Sequence, residues 1–186
     1  MKKLLGILVL GLLWCNISLT DDISDFEIEG MSIGDSLLDF MSENDISKAN
    51  DESYTDRIYL LKTFNNKNFK LYDAVQISYK TSDDKKIITS IGGVLSYPNN
   101  INKCKKQMYK IASELTDLFP TAVKKDWGKY DNPDNTGHYF PITFDFADTS
   151  IAMVSCHDWN KKTGIDDNLK VALFEAKYSE YIKQKN

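Results

Sequence analysis

The strongest periodicity in the chain lies in residues 101–119, where apolar positions 101, 104, 108, 111, 115 and 118 advance by threes and fours. That spacing predicts one amphipathic helix with a single buried stripe, stopped by Pro120. On either side the period falls to two. Residues 57–64, 71–79 (apolar at 71, 75, 77 and 79) and 87–97 (apolar at 87, 91, 95 and 97) read as strands before the helix. Residues 138–146, with Phe140, Ile142, Phe144 and Phe146 on one face, then 151–159 and 168–175, read as strands after it. Thr81-Ser82-Asp83-Asp84 supplies a hairpin turn, and Pro98-Asn99-Asn100 offers the long helix its N-cap.

Residues 31–41 carry apolar side chains at 33, 37, 38, 40 and 41, a helical spacing. Ser32 stands where an N-cap belongs, and Asp35 follows three residues later in the manner of a capping box. A second short helix is expected over 42–48 and a last one over 176–184. The order is therefore α-β-β-β twice, a pseudo-repeat of 31–97 and 101–175 without a linker between 57 and 186. Consecutive strands predict an α+β protein, an antiparallel sheet with helices packed on one face, and not the alternation that builds a parallel sheet.

Glu29-Gly30-Met31-Ser32 resembles the Gly-Met-Ser/Thr helix entry of small envelope modules that pair one or two helices with three strands. The outer-membrane assembly lipoproteins of the SmpA/OmlA type and the tandem-repeat β-lactamase inhibitor proteins are examples. The Gly-x-Pro those modules often place after that helix is absent. The whole chain also resembles small exported bacterial α+β proteins, a likeness that names no activity.

The first twenty residues, MKKLLGILVLGLLWCNISLT, have two lysines, an apolar run and a small-polar end, the plan of a secretory signal peptide. Cleavage is expected after Thr20; the alternative is an uncleaved amino-terminal anchor. The apolar run is too short for a comfortable membrane span, and Trp14 before Cys15 is wrong for lipid attachment. Residues 21–186 then form a single domain, periplasmic or secreted. Within it, 21–56 hold twelve acids and one base, whereas 57–186 hold twenty bases and fifteen acids. All bases but Arg57 are lysine, ill suited to bidentate phosphate recognition, so nucleic acid is not an expected partner.

Gly34-Asp35-Ser36-Leu37 spells the block that names the GDSL esterases and lipases, in which the serine is the nucleophile. The family's other blocks do not follow: Val154 and Asn135 occupy the positions three before His157 and His138, and there is no G-x-N-D. Ser36 therefore reads as a helix-start residue, and no catalytic residue is assigned.

Cys156-His157-Asp158 cannot form a triad by adjacency, because neighbouring strand residues point to opposite faces. Cys104 lies on the helix stripe and Cys156 on the strand face of Ala152 and Val154, so a Cys104–Cys156 disulfide is expected in an oxidising compartment. Closing a loop of 52 residues, it contributes ~4 kcal/mol on the chain-entropy model. A three-residue hairpin loop at 147–149 pairs Phe140 with Cys156 and puts His138 and His157 on opposite faces; a two-residue loop would bring them together as metal ligands. The first register is preferred, and no metal or cofactor is assigned. DNPDNTG at 131–137 reads as turn chemistry, since Ile142 or Thr143 falls where a calcium loop needs Glu. Trp127 and Trp159, in the echoing DWGK and DWNK, are the candidate ligand rim.

Lys103, Lys105, Lys106 and Lys110 crowd the first half of the long helix while Glu114 and Asp117 lie near its end, against the helix dipole. Solvent screening, the acidic segment 21–56 or an anionic partner could each compensate. The expected protein is a non-catalytic exported binding or accessory protein of the bacterial envelope, its ligand a small molecule or another protein. The alternatives are an assembly factor or inhibitor that binds protein and, against the missing family blocks, a small esterase using Ser36.

Overall fold

The computed structural model describes residues 22–132 and 134–185. The expected signal peptide lies outside the described residues. Among the described residues, three helices accompany one nine-stranded sheet in which every pair is antiparallel. The strands are β1 (Asn50–Asp51), β2 (Tyr59–Phe64), β3 (Ala74–Lys80), β4 (Ser90–Ser96), β5 (Val123–Asp126), β6 (Tyr130–Asp131), β7 (Gly137–Asp145), β8 (Ile151–Trp159) and β9 (Asn168–Phe174). The helices are α1 (Glu43–Lys48), α2 (Ile101–Leu118) and α3 (Ala176–Lys183). This is the expected α+β architecture.

The sheet order β1-β2-β3-β4-β9-β8-β7-β5, with β6 also on β7, joins two three-stranded meanders along their last strands. β4 and β9 share seven residue pairs, from Ser90 opposite Phe174 to Ser96 opposite Asn168. One face carries the core. Ile77, Ile91, Leu169, Val171, Leu173, Val154, Ile142 and Phe144 project from it toward α2, whose stripe Cys104, Met108, Ile111, Ala112 and Leu115 is buried. Each fully buried aliphatic or Phe side chain contributes about 1.5–3 kcal/mol relative to exposure. Asn100 caps α2, its side chain accepting the Lys103 N–H at 3.1 Å, and the helix ends at Leu118, two residues before Pro120.

The hairpin at 147–149 has the three-residue loop. Phe146 N–H donates to Ser150 O, and Phe140 pairs with Cys156. The Cys104–Cys156 disulfide is formed, with Cα atoms 6.0 Å apart, tying the first turn of α2 to β8.

The expected helix over 31–41 is absent, which is a correction. Gly30 and Gly34 take left-handed conformations, φ 79° and 92°, and only a single 3-10 turn forms at Leu37–Asp39. The segment's amides pair elsewhere: Gly34 and Leu37 donate to the carbonyls of Ile88 and Lys86, and Ile88 donates to Asp35 O. Tertiary pairing thus outweighs the helical apolar spacing. Half of the expected capping box survives without its helix, Asp35 accepting the Ser32 N–H at 2.8 Å. Ile28, Met31 and Leu37 still enter the core, so the segment covers the sheet face as an irregular strap.

The last helix also departs from a plan with every helix on one face. Tyr178 and Tyr181 of α3 pack with Tyr59, Ala172 and Phe174, whose side chains leave the sheet on the side opposite the main core. α3 therefore covers only one end of the second face.

Gly92 and Gly93 adjoin on β4 and so serve opposite faces. A Cβ on Gly93 would enter the ring of Tyr72, and one on Gly92 would meet Lys170 Cε at 3.0 Å. The absent side chains leave room for one large residue on each side.

Candidate functional site

Strand alternation sends the odd-numbered residues of β7 and β8 to the second face, away from the core. Tyr139 stands opposite His157, Pro141 opposite Ser155, and Gly137 opposite Trp159. β6 places Tyr130 beside Tyr139, and Trp127, just after β5, reaches over the same face, its indole N–H donating to Thr143 Oγ1 at 3.0 Å. Together these make a continuous aromatic row. Successive ring centroids are 6.5 Å (Trp127–Tyr130), 5.6 Å (Tyr130–Tyr139), 5.7 Å (Tyr139–His157) and 5.8 Å (His157–Trp159) apart. The last two pairs are inclined by only 13° each, so three rings share one orientation.

Trp127 and Trp159, the candidate rim residues, are the two ends of this row. Trp159 lines a cleft of about 280 Å³ with Asn99, Lys161, Gly164, Ile165 and the Asp166-Asp167 pair, a lining that does not include Trp127. Trp127 is 46% exposed and Tyr130 41%, while Tyr139, His157 and Trp159 are half-buried. The indole N–H of Trp159 is buried without an acceptor among the described residues.

A polar patch adjoins the row. Ser155 Oγ lies 3.1 Å from His157 Nε2, and Ser155 is opposite Lys170 of β9. Desolvation, with a smaller contribution from the Lys170 charge, pushes the His157 imidazole down to about 4. Its ring is neutral at pH 7, with one nitrogen donating and the other accepting. Burial also lowers Lys170, against the opposing pull of Glu52. Glu52 in turn accepts hydrogen bonds from Thr63 Oγ1 and Gln76 Nε2, at 2.7 and 2.8 Å. Ser155 is fully buried, so its oxygen is closed to a substrate, and the Ser-His pair orients the ring within the row.

His138 lies on the core side of β7, its Nδ1 2.6 Å from Asp131 Oδ1. It and His157 point to opposite faces and cannot share an ion. Among the described residues no three His, Cys, Asp or Glu side chains are grouped to hold a metal. In the 131–137 segment Asp131 is taken by His138, and Asp134 accepts from the Thr136 hydroxyl at 2.6 Å and its N–H at 3.1 Å. Ser36 Oγ donates to the carbonyl of Lys85 at 2.8 Å and forms a bridge to Ile87, holding the strap to the β3–β4 connection.

Tyr130 and Tyr139 were not among the residues singled out from the sequence. The signal for Tyr139 was present in the odd positions of 138–146 and 151–159, where Tyr139, His157 and Trp159 alternate with the apolar even positions, whereas Tyr130 joins only through β6. Comparisons with protein-family models, with curated proteins and with solved structures return no match.

Proposed function

We propose that this is an exported, non-catalytic binding protein of the bacterial envelope whose ligand lies along the aromatic row. The observation that carries the reading is the row itself, five rings in sequence on a sheet face that α3 leaves open. Aromatic rings offer a large apolar contact at small entropic cost, and Tyr and Trp add a polar handle. Export is supported by the leader-like first twenty residues and by the Cys104–Cys156 bond, which fits an oxidising compartment. Among the described residues no helix is long and apolar enough to cross a membrane.

The test is a nuclear magnetic resonance screen of ring-bearing fragments, saccharide and aromatic. Binders are expected to perturb Tyr139, His157 and Trp159 and to be lost in Trp159→Ala and Tyr139→Ala. Fragments that bind only elsewhere, or that survive both substitutions, would overturn it. Mass analysis of the exported chain is expected to begin at Asp21.

A second reading, an assembly factor or inhibitor that docks another protein, is favoured by the exposure of Trp127 and Tyr130, residue types enriched at protein interfaces. A stoichiometric partner captured from envelope extract by the wild type, and lost in Trp127→Ala, would select it.

A further inference from the structure

On α2, Lys103, Lys106 and Lys110 follow at three- and four-residue steps and so stand on one edge of the helix. Between that edge and the end of β4 runs an open groove of about 700 Å³. Leu95, Tyr97 and Pro98 give it an apolar floor, and the three lysines form its helix side. That volume is within the range of small-molecule sites, about 300–1,000 Å³.

Two of the three charges on the helix side have no ion-pair partner among the described residues. Lys110 reaches Glu114 at 3.7 Å on the same helix, but among the described residues no ion pair engages Lys103 or Lys106. Of the acidic amino-terminal segment, Asp51 pairs with Arg57 and Lys62, Glu43 with Lys86 and Asp56 with Lys185. Among the described residues none of its carboxylates forms an ion pair with Lys103 or Lys106. Like charges at these spacings, near the positive end of the helix, raise one another's energy until an anion arrives. On the strand side the groove's polar residue is Ser96, whose N–H and hydroxyl are already donated to Asp73 at 2.8 Å and Asp166 at 3.2 Å, so the lysines are its one charged wall. Apolar floor and basic helix side together define an orientation.

We propose that this groove binds a single-chain anionic amphiphile of the fatty-acid type. The alkyl chain lies over Leu95, Tyr97 and Pro98, with the lysine stems closing over it, and the carboxylate is held by Lys103 and Lys106. The site shares no residue with the aromatic row, so the two proposals stand or fall separately.

Laurate, kept below its micelle concentration, is titrated into isotope-labelled full chain. Acetate serves as the head without the tail, and dodecyltrimethylammonium as the tail with the wrong charge. The expected result is one-to-one saturation with shifts at Leu95, Tyr97, Lys103 and Lys106, weakened by about tenfold or more in the folded Lys103→Gln/Lys106→Gln variant. Equal affinity for acetate or for dodecyltrimethylammonium would overturn the proposal. So would unchanged laurate binding in the double variant, or binding to anionic phospholipid vesicles without binding to monomeric laurate.

Discussion

Ser155 and His157 sit two residues apart on β8 with Oγ and Nε2 separated by 3.1 Å, and the imidazole they fix is held neutral by its surroundings. Burial holds the folded ring down at about 4, against about 6.5 for an ordinary imidazole, so in that interval the unfolded chain binds the proton more readily. Stability is full above about pH 6.5 and falls as pH drops from there toward 4, by roughly 2–3 kcal/mol. His157→Gln keeps a hydrogen-bonding partner for Ser155 and removes the titration. Urea unfolding at about pH 7.5 and 4.5 is expected to show a smaller difference in the variant than in the wild type. The exposed Asp51 and Asp56, whose carboxylates are depressed by Ser53 and Arg57 and by Lys185 and Tyr181, release their contribution only below about pH 3.8, outside this window.

The disulfide spans 52 residues and joins a helix to the centre of the sheet. Cys104→Ala/Cys156→Ala is expected to lower stability by about 4 kcal/mol, a Tm loss on the order of 10 °C for a domain of this size. Calorimetry of wild type and variant checks it, and a loss under about 1 kcal/mol would contradict the role assigned to the bond.

Gly93 and Gly92 should respond unequally to a methyl group. Gly93→Ala drives a Cβ into the buried Tyr72 ring, whereas Gly92→Ala meets Lys170 Cε, near the far end of a long side chain, at 3.0 Å and Ala172 Cβ at 3.2 Å. The first is expected to cost about 1–3 kcal/mol and the second less, measured by chemical denaturation. Equal costs would refute the packing described for β4.

Glu29 is a clamp: its carboxylate accepts backbone N–H groups from Lys70, Leu71 and Tyr72 at 2.8, 2.7 and 3.0 Å. Glu29→Gln replaces one acceptor oxygen by an amide donor facing those N–H groups. A loss of about 1.5–3 kcal/mol is expected, with hydrogen exchange of the three amides accelerated ahead of the rest.

Residues 101–119 were legible because burial on one side and a proline stop act within a single segment. The register of the 146–150 hairpin was legible because a one-residue slip would have sent Phe140, Ile142 and Phe144 to the open face. The same argument placed Cys156 under Cys104. Residues 31–41 misled, since an apolar spacing cannot reveal that Ile88 and Lys86 carbonyls will claim the amides of Gly34 and Leu37. β5 went unseen because Val123–Asp126 is an exposed edge strand with no apolar alternation to mark it. Trp127 and Trp159 were visible as a pair of echoes. The row between them was not, because it depends on β6 bringing Tyr130 against Tyr139.

The joining of the two meanders along β9 has a consequence for when the fold can form. β9 comes late in the chain yet lies in mid-sheet, between β4 and β8. Until residues 168–174 arrive, each meander ends in an unpaired inner edge and the halves have no backbone ladder between them. Such long-range pairing is slow because the loop must close before any contact rewards it. A chain emerging from a ribosome thus stays unlocked until residues 168–174 are free to slot between β4 and β8.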